Sequence, residues 1–149
     1  MIDYKKISRD IRIVYAALLA AVITFAVLCE CDVIPLEGML LGVAPGTMYI
    51  LEVSMLFAVG IGILIALKGF NWCLLHKVHA TEGEHRVKLY VALSNARNCL
   101  LNALMVLGAV FYYGTLENWG MYYALAAFVS SFFCLPSAEG VEIELRAER

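Results

Sequence analysis

Ser94, Asn95, Arg97, Asn98 and Asn102 all fall within one apolar stretch of this chain. Each amide brings two donors and an acceptor, and the guanidinium brings five donors and a fixed charge. Tyr90, Ser94, Asn98 and Asn102 recur at four-residue spacing. That spacing stacks them on one face of a helix, with Arg97 beside the stripe. Such a ridge can hold an anion, line a path for a polar solute or proton, or lock one helix against another. It cannot face hydrocarbon cheaply, because a central arginine in a membrane helix costs about 2.5–3.5 kcal/mol on insertion scales. Glu52 is the other charged residue set in from the ends of the apolar stretches. The sequence therefore predicts a contact between Glu52 and Arg97, direct or through water or Asn98. The candidate intramembrane polar site is Arg97, Glu52, Asn98, Asn102, Ser94 and Asn95.

These residues need elements to carry them. The chain has 149 residues, 62% of them hydrophobic and 16% charged. Ordinary soluble domains carry about 25% charged residues. A bilayer span needs about 20 mostly apolar residues, and four such stretches are present, at about 11–29, 47–67, 87–113 and 116–135. Pro136 stops the last, since proline cannot continue a helical hydrogen-bond ladder. The expected fold is an all-α, four-helix integral membrane bundle, a single polytopic domain over 1–149 with a cytoplasmic tail at 137–149. Counted from Val87, Arg97 should lie roughly 15 Å inside the membrane.

Lysine and arginine set the orientation. Lys5, Lys6, Arg9 and Arg12 precede the first stretch, and Lys68, Lys77, Arg86 and Lys88 lie between the second and third. Arg146 and Arg149 end the chain, while the other two connections carry neither residue type. Both termini should therefore face the cytoplasm, in a bacterial inner membrane. The first apolar run is longer than the ~7–15-residue core of a signal peptide, and no small-x-small site follows it. It reads as a span that stays. Tyr112, Tyr113, Trp119, Tyr122 and Tyr123 mark the outer interface, and Phe70 and Trp72 the inner one.

The third and fourth stretches should form a tight hairpin around Gly114. The apolar segment 33–45 should fold back over the outer end, and the first half of 69–88 should lie along the inner interface. Small residues mark close helix packing: Ala17 and Ala21 (with Ala16 and Ala20) in the first span, and Ala58, Gly62 and Ala66 in the second. They serve the bundle itself or a face between copies.

Other signals are weaker. The five cysteines lack the C-x-x-C spacing of thiol–disulfide chemistry. His76, His79 and Glu82 could share a divalent metal if 76–82 were helical, but a solvated cytoplasmic loop is the better reading, since no cysteine pair supports them and Gly83 breaks the run. Val141, Ile143 and Leu145 alternate with Glu142 and Glu144, a period that suits a strand added to a partner's sheet edge, although in so short a segment a helix or disorder is equally plausible. No Ser-His pair, paired carboxylates or metal motif falls at membrane depth. The sequence thus points to a non-enzymatic membrane subunit or interaction module without a cofactor. Its partners would be the lipid bilayer and a second copy or another membrane protein, not nucleic acid. The alternative is a small homo-oligomeric channel or transporter for an anionic or polar solute, anchored by Arg97.

Overall fold

In the computed structural model, which describes residues 3–81 and 83–146, every regular element is helical. Helix α1 spans Tyr4–Glu30. Its cap is Asp3, whose Oδ1 accepts the Lys6 N–H at 3.1 Å and satisfies one of the first turn's orphan donors. Helix α2 begins at Pro45, whose missing N–H matters least in a first turn, and runs to Val78.

The continuation of α2 past residue 67 corrects the expected inner-interface segment. Two π turns, Ile65–Gly69 and Leu74–Val78, lie in this extension. A four-residue apolar spacing runs ahead of the 3.6-residue α repeat. The wider π turns bring it back, so Ala66, Phe70, Leu74 and Val78 are all buried.

Helix α3, Glu84–Thr115, follows Gly83. It ends at Leu116, which takes the left-handed conformation and donates its N–H to the Tyr112 carbonyl at 2.7 Å. The chain reverses at Leu116 and Glu117 and enters helix α4, Asn118–Phe133. Gly114 is thus the end of a helix, not the turn itself. Segment 31–44 folds back here as expected. Gly38 and Leu40 donate their N–H groups to the Tyr113 and Gly114 carbonyls at 3.0 and 2.9 Å, which caps the end of α3.

α3 and α4 pack backbone to backbone. A Cβ on Gly120 would stand 2.3 Å from the Tyr112 nitrogen, and one on Gly108 would stand 2.7 Å from the Ala124 nitrogen. After a 73° bend the chain enters helix α5, Ala138–Arg146. Val141 and Leu145 are buried while Ile143 is 67% exposed. That is a helical face, so the strand reading of the tail is overturned.

Two apolar clusters result. One runs through the bundle and includes Val59, Leu101, Leu104, Met105, Phe111 and Ala127. The other fills the end that carries both termini, where Ile11, Phe70, Leu74, Val78 and Tyr90 meet Val141 and Leu145 of α5. The outer surface carries large apolar side chains on every long helix, among them Ile23, Phe57, Ile61, Leu107, Phe128 and Phe132. Ser94, Asn98, Asn102 and Ser131 are inside. Soluble monomers rarely expose apolar surface on this scale. α1, α2 and α3 are long and apolar enough to cross a membrane, and α4 with α5 makes a fourth candidate if the bent pair counts as one span.

Candidate functional site

The α4–α5 bend leaves backbone carbonyls without helical partners, because Pro136 has no N–H and the ladder stops. Three side chains from two other helices supply the donors. Arg97 Nη2 of α3 donates to the Cys134 carbonyl at 2.8 Å. From α1, Ser8 Oγ and Arg12 Nε both donate to the Pro136 carbonyl at 3.0 Å. The Arg97 guanidinium carbon also lies 3.9 Å from the centroid of the Phe70 ring on α2. A cleft of about 220 Å³ opens there, lined by Arg97, Phe70, Ala66, Leu93 and Leu100.

This arrangement corrects the expected Glu52–Arg97 contact. Glu52 sits at the opposite end of the bundle, beside Glu117, and its carbonyl accepts a long 3.5 Å bond from Tyr123 Oη. Arg97 is held without a carboxylate, although its buried Nε has no hydrogen-bond partner among the described residues. A hydrogen bond to a charged group contributes about 1.5–3 kcal/mol, and a cation on an aromatic face about 0.5–2 kcal/mol. Together these match the insertion cost of about 2.5–3.5 kcal/mol. The carboxyl end of a helix also carries partial negative charge, which favours a cation there.

The first apolar residues of α3 pack into the terminal cluster, with Leu89, Val91 and Leu93 against α2 and α5 residues. Arg97 is level with the end of α4, whose Cys134 carbonyl it meets.

The polar stripe is real and interior. Ser94, Asn98 and Asn102 are each at least 96% buried, and Asn95 is half-buried. Asn102 Nδ2 donates back to the Asn98 carbonyl at 2.8 Å. Both side-chain polar atoms of Asn98, the Ser94 hydroxyl, and the Asn95 and Asn102 amide oxygens have no hydrogen-bond partner among the described residues. An unpaired buried group of this kind costs about 1–3 kcal/mol, so the stripe is not a closed network. Nearby, the Ser131 hydroxyl gives its proton to the Phe128 carbonyl at 2.7 Å, so Tyr15 Oη donates to Ser131 Oγ at 3.2 Å. At the terminal end, the Tyr90 hydroxyl donates to Glu144 Oε2 of α5 at 2.5 Å.

The small residues divide. Gly62 and Ala66 are buried, and a Cβ on Gly62 would meet Leu104 Cδ1 at 2.8 Å. Ala58, Ala17 and Ala21 lie exposed on the outer surface, so they do not pack the chain on itself. His76 stacks on Trp72, with centroids 4.8 Å apart, and hydrogen-bonds the Trp72 carbonyl. His79 instead meets Arg86 at 3.4 Å. Glu82 lies outside the described residues. The five cysteines are free thiols, with Cys29 and Cys134 buried.

Sequence reasoning missed Ser8, Arg12, Cys134 and Pro136 as one assembly. Pro136 was the available signal, because a broken helix end demands donors from elsewhere. Comparison with known proteins finds no matching family model, no matching curated protein and no matching solved structure.

Proposed function

We propose that this chain is a small integral membrane protein that acts as a non-enzymatic subunit or interaction module of a membrane assembly. Both termini lie in the cytoplasm, and the bundle crosses the bilayer four times. The inverted distribution supports the membrane placement, with apolar groups outside and Ser94, Asn98 and Asn102 inside. The orientation rests on the lysines and arginines gathered before the first stretch and between the second and third. From the end of α3 at Thr115 back to Arg97 is about 27 Å of helix. A hydrocarbon core is about 30 Å thick, so this placement puts Arg97 near the inner boundary, where an arginine is tolerated.

Arg97's environment carries the subunit reading. Its guanidinium closes the end of α4 and covers Phe70. A residue committed to internal capping is poorly available to bind and release a solute. The outward apolar faces of α1 and α2, with exposed Ala17, Ala21 and Ala58, offer surface to a partner helix. Purification from the native membrane in mild detergent, with mass and composition read together, tests this. A defined assembly with a second membrane protein, or with further copies of the chain, is the expected result. A monomer free of any companion would overturn it.

A second reading is a small oligomeric channel or transporter for a polar or anionic solute. The unpaired amide of Asn98 favours it, since a buried amide can exchange hydrogen bonds with a passing polar group. Solute flux into liposomes that collapses in Asn98→Leu, with the fold intact, would select this reading.

A further inference from the structure

A cavity of about 560 Å³ opens between the first turns of α1 and the start of α5. Lys5, Lys6, Arg9 and Arg12 line it. Steps of four and three residues place Lys5, Arg9 and Arg12 on one helical face. Among the described residues no carboxylate forms an ion pair with these four cations. Asp3 also lines the cavity, but its Oδ1 is engaged by the Lys6 N–H at the helix cap. Arg12 is held by its Nε bond to the Pro136 carbonyl, which fixes the guanidinium and leaves its terminal amino groups available. Ala138 brings the amino end of α5 to the same wall, where the helix dipole and the first-turn N–H groups other than that of Gly140, which Ser137 Oγ caps at 2.9 Å, favour an anion. Glu139 is the one acid in that turn.

We propose that this corner binds a phosphate-bearing anion, and that in the membrane the anion is the headgroup of an acidic phospholipid. Charge alone would orient the protein without gathering the cations around a cavity. The volume admits a headgroup with its glycerol rather than a bare ion. The cavity also stands where the surface changes character. Directly after Arg12, Ile13 and Val14 are exposed apolar side chains, a path along which acyl chains can lie. Basic pockets at the cytoplasmic ends of membrane helices suit such headgroups.

The test uses the full chain in nonionic detergent, with binding and thermal melting followed together. Phosphatidylglycerol, phosphatidylcholine of the same chain length and inorganic phosphate are added separately. Phosphatidylglycerol should bind and raise the melting temperature, phosphatidylcholine should not, and 0.5 M salt should weaken the effect, the screening length there being only a few ångströms. Lys5→Gln with Arg9→Gln removes two exposed cations and should weaken binding at least about tenfold. Lys68→Gln with Lys77→Gln removes the same charge elsewhere and should change nothing. Protection by inorganic phosphate at millimolar concentration would support the same site with solution phosphate as its source. Equal binding of the two lipids, unchanged binding in the first double variant, or equal weakening in the second would overturn the proposal.

Discussion

The Arg97 guanidinium and the main-chain carbonyl of Cys134 stand 2.8 Å apart and join the middle of α3 to the end of α4. The arginine therefore answers a backbone need created by Pro136, where the helical ladder stops. It also explains how a charged residue sits in an apolar stretch without an acidic partner. Phe70 covers one face of the guanidinium and the helix end supplies the acceptor.

Arg97→Leu should destabilise the fold by about 2–4 kcal/mol, because it removes a charge-assisted bond and leaves the Cys134 carbonyl unmet. Glu52→Gln lies at the other end of the bundle, and distant sites add within about 0.5 kcal/mol. The double variant should therefore melt where the two single variants predict. A larger coupling, with stability recovered in the double variant, would restore the ion pair that the sequence suggested.

Asn98 makes a sharper demand. Its amide is buried and both polar atoms lack partners among the described residues. Replacing it with leucine, of similar size, removes that penalty. Asn98→Leu should raise thermal stability in detergent, by about 1–3 kcal/mol. A fall of that size would instead show that the amide is satisfied by bound water or solute, and the channel reading would gain.

Much of the frame was legible because it follows from composition and period. The apolar stretches, the four-residue polar stripe and the short α3–α4 connection are all local properties of the sequence. What escaped depends on tertiary context. Val78 is helical rather than part of a loop because two π turns keep Ala66, Phe70, Leu74 and Val78 inward. The partner of Arg97 is a backbone carbonyl, which side-chain chemistry does not reveal. The tail reads equally as strand or helix until Val141 and Leu145 find the cluster around Ile11 and Tyr90. Gly108 and Gly120 could have been noticed, since each lies six residues from Gly114, as facing positions of a hairpin must.

The docking of α5 has a polar tie as well as apolar burial. Tyr90, fully buried, donates to Glu144. A hydrogen bond to a carboxylate contributes about 1.5–3 kcal/mol. Tyr90→Phe keeps the ring and its edge-on contact with Phe70, whose centroid is 6.1 Å away, and deletes the tie. Hydrogen exchange should quicken across 138–146 by one to two orders of magnitude, which is that energy expressed as a rate, while exchange in the middle of α3 stays slow. Uniform quickening would mean that Tyr90 supports the whole bundle rather than the docking of the tail.

The close backbone approach at Gly120 tests the hairpin directly. A methyl group on Gly120 would fall 2.3 Å from the Tyr112 nitrogen and 2.7 Å from the Gly108 carbonyl oxygen. Neither atom belongs to a flexible side chain, so the helices must separate or slide. Overpacking usually costs about 1–3 kcal/mol, and Gly120→Ala should reach or exceed the top of that range. Gly60→Ala is the matched control, because a Cβ there meets nothing within 4 Å. In that exposed helical position alanine should be neutral or stabilising by up to about 1 kcal/mol. Melting of the two variants in the same detergent decides the matter. Equal melting temperatures would mean that α3 and α4 do not meet at Gly108 and Gly120, and the close hairpin would have to be abandoned.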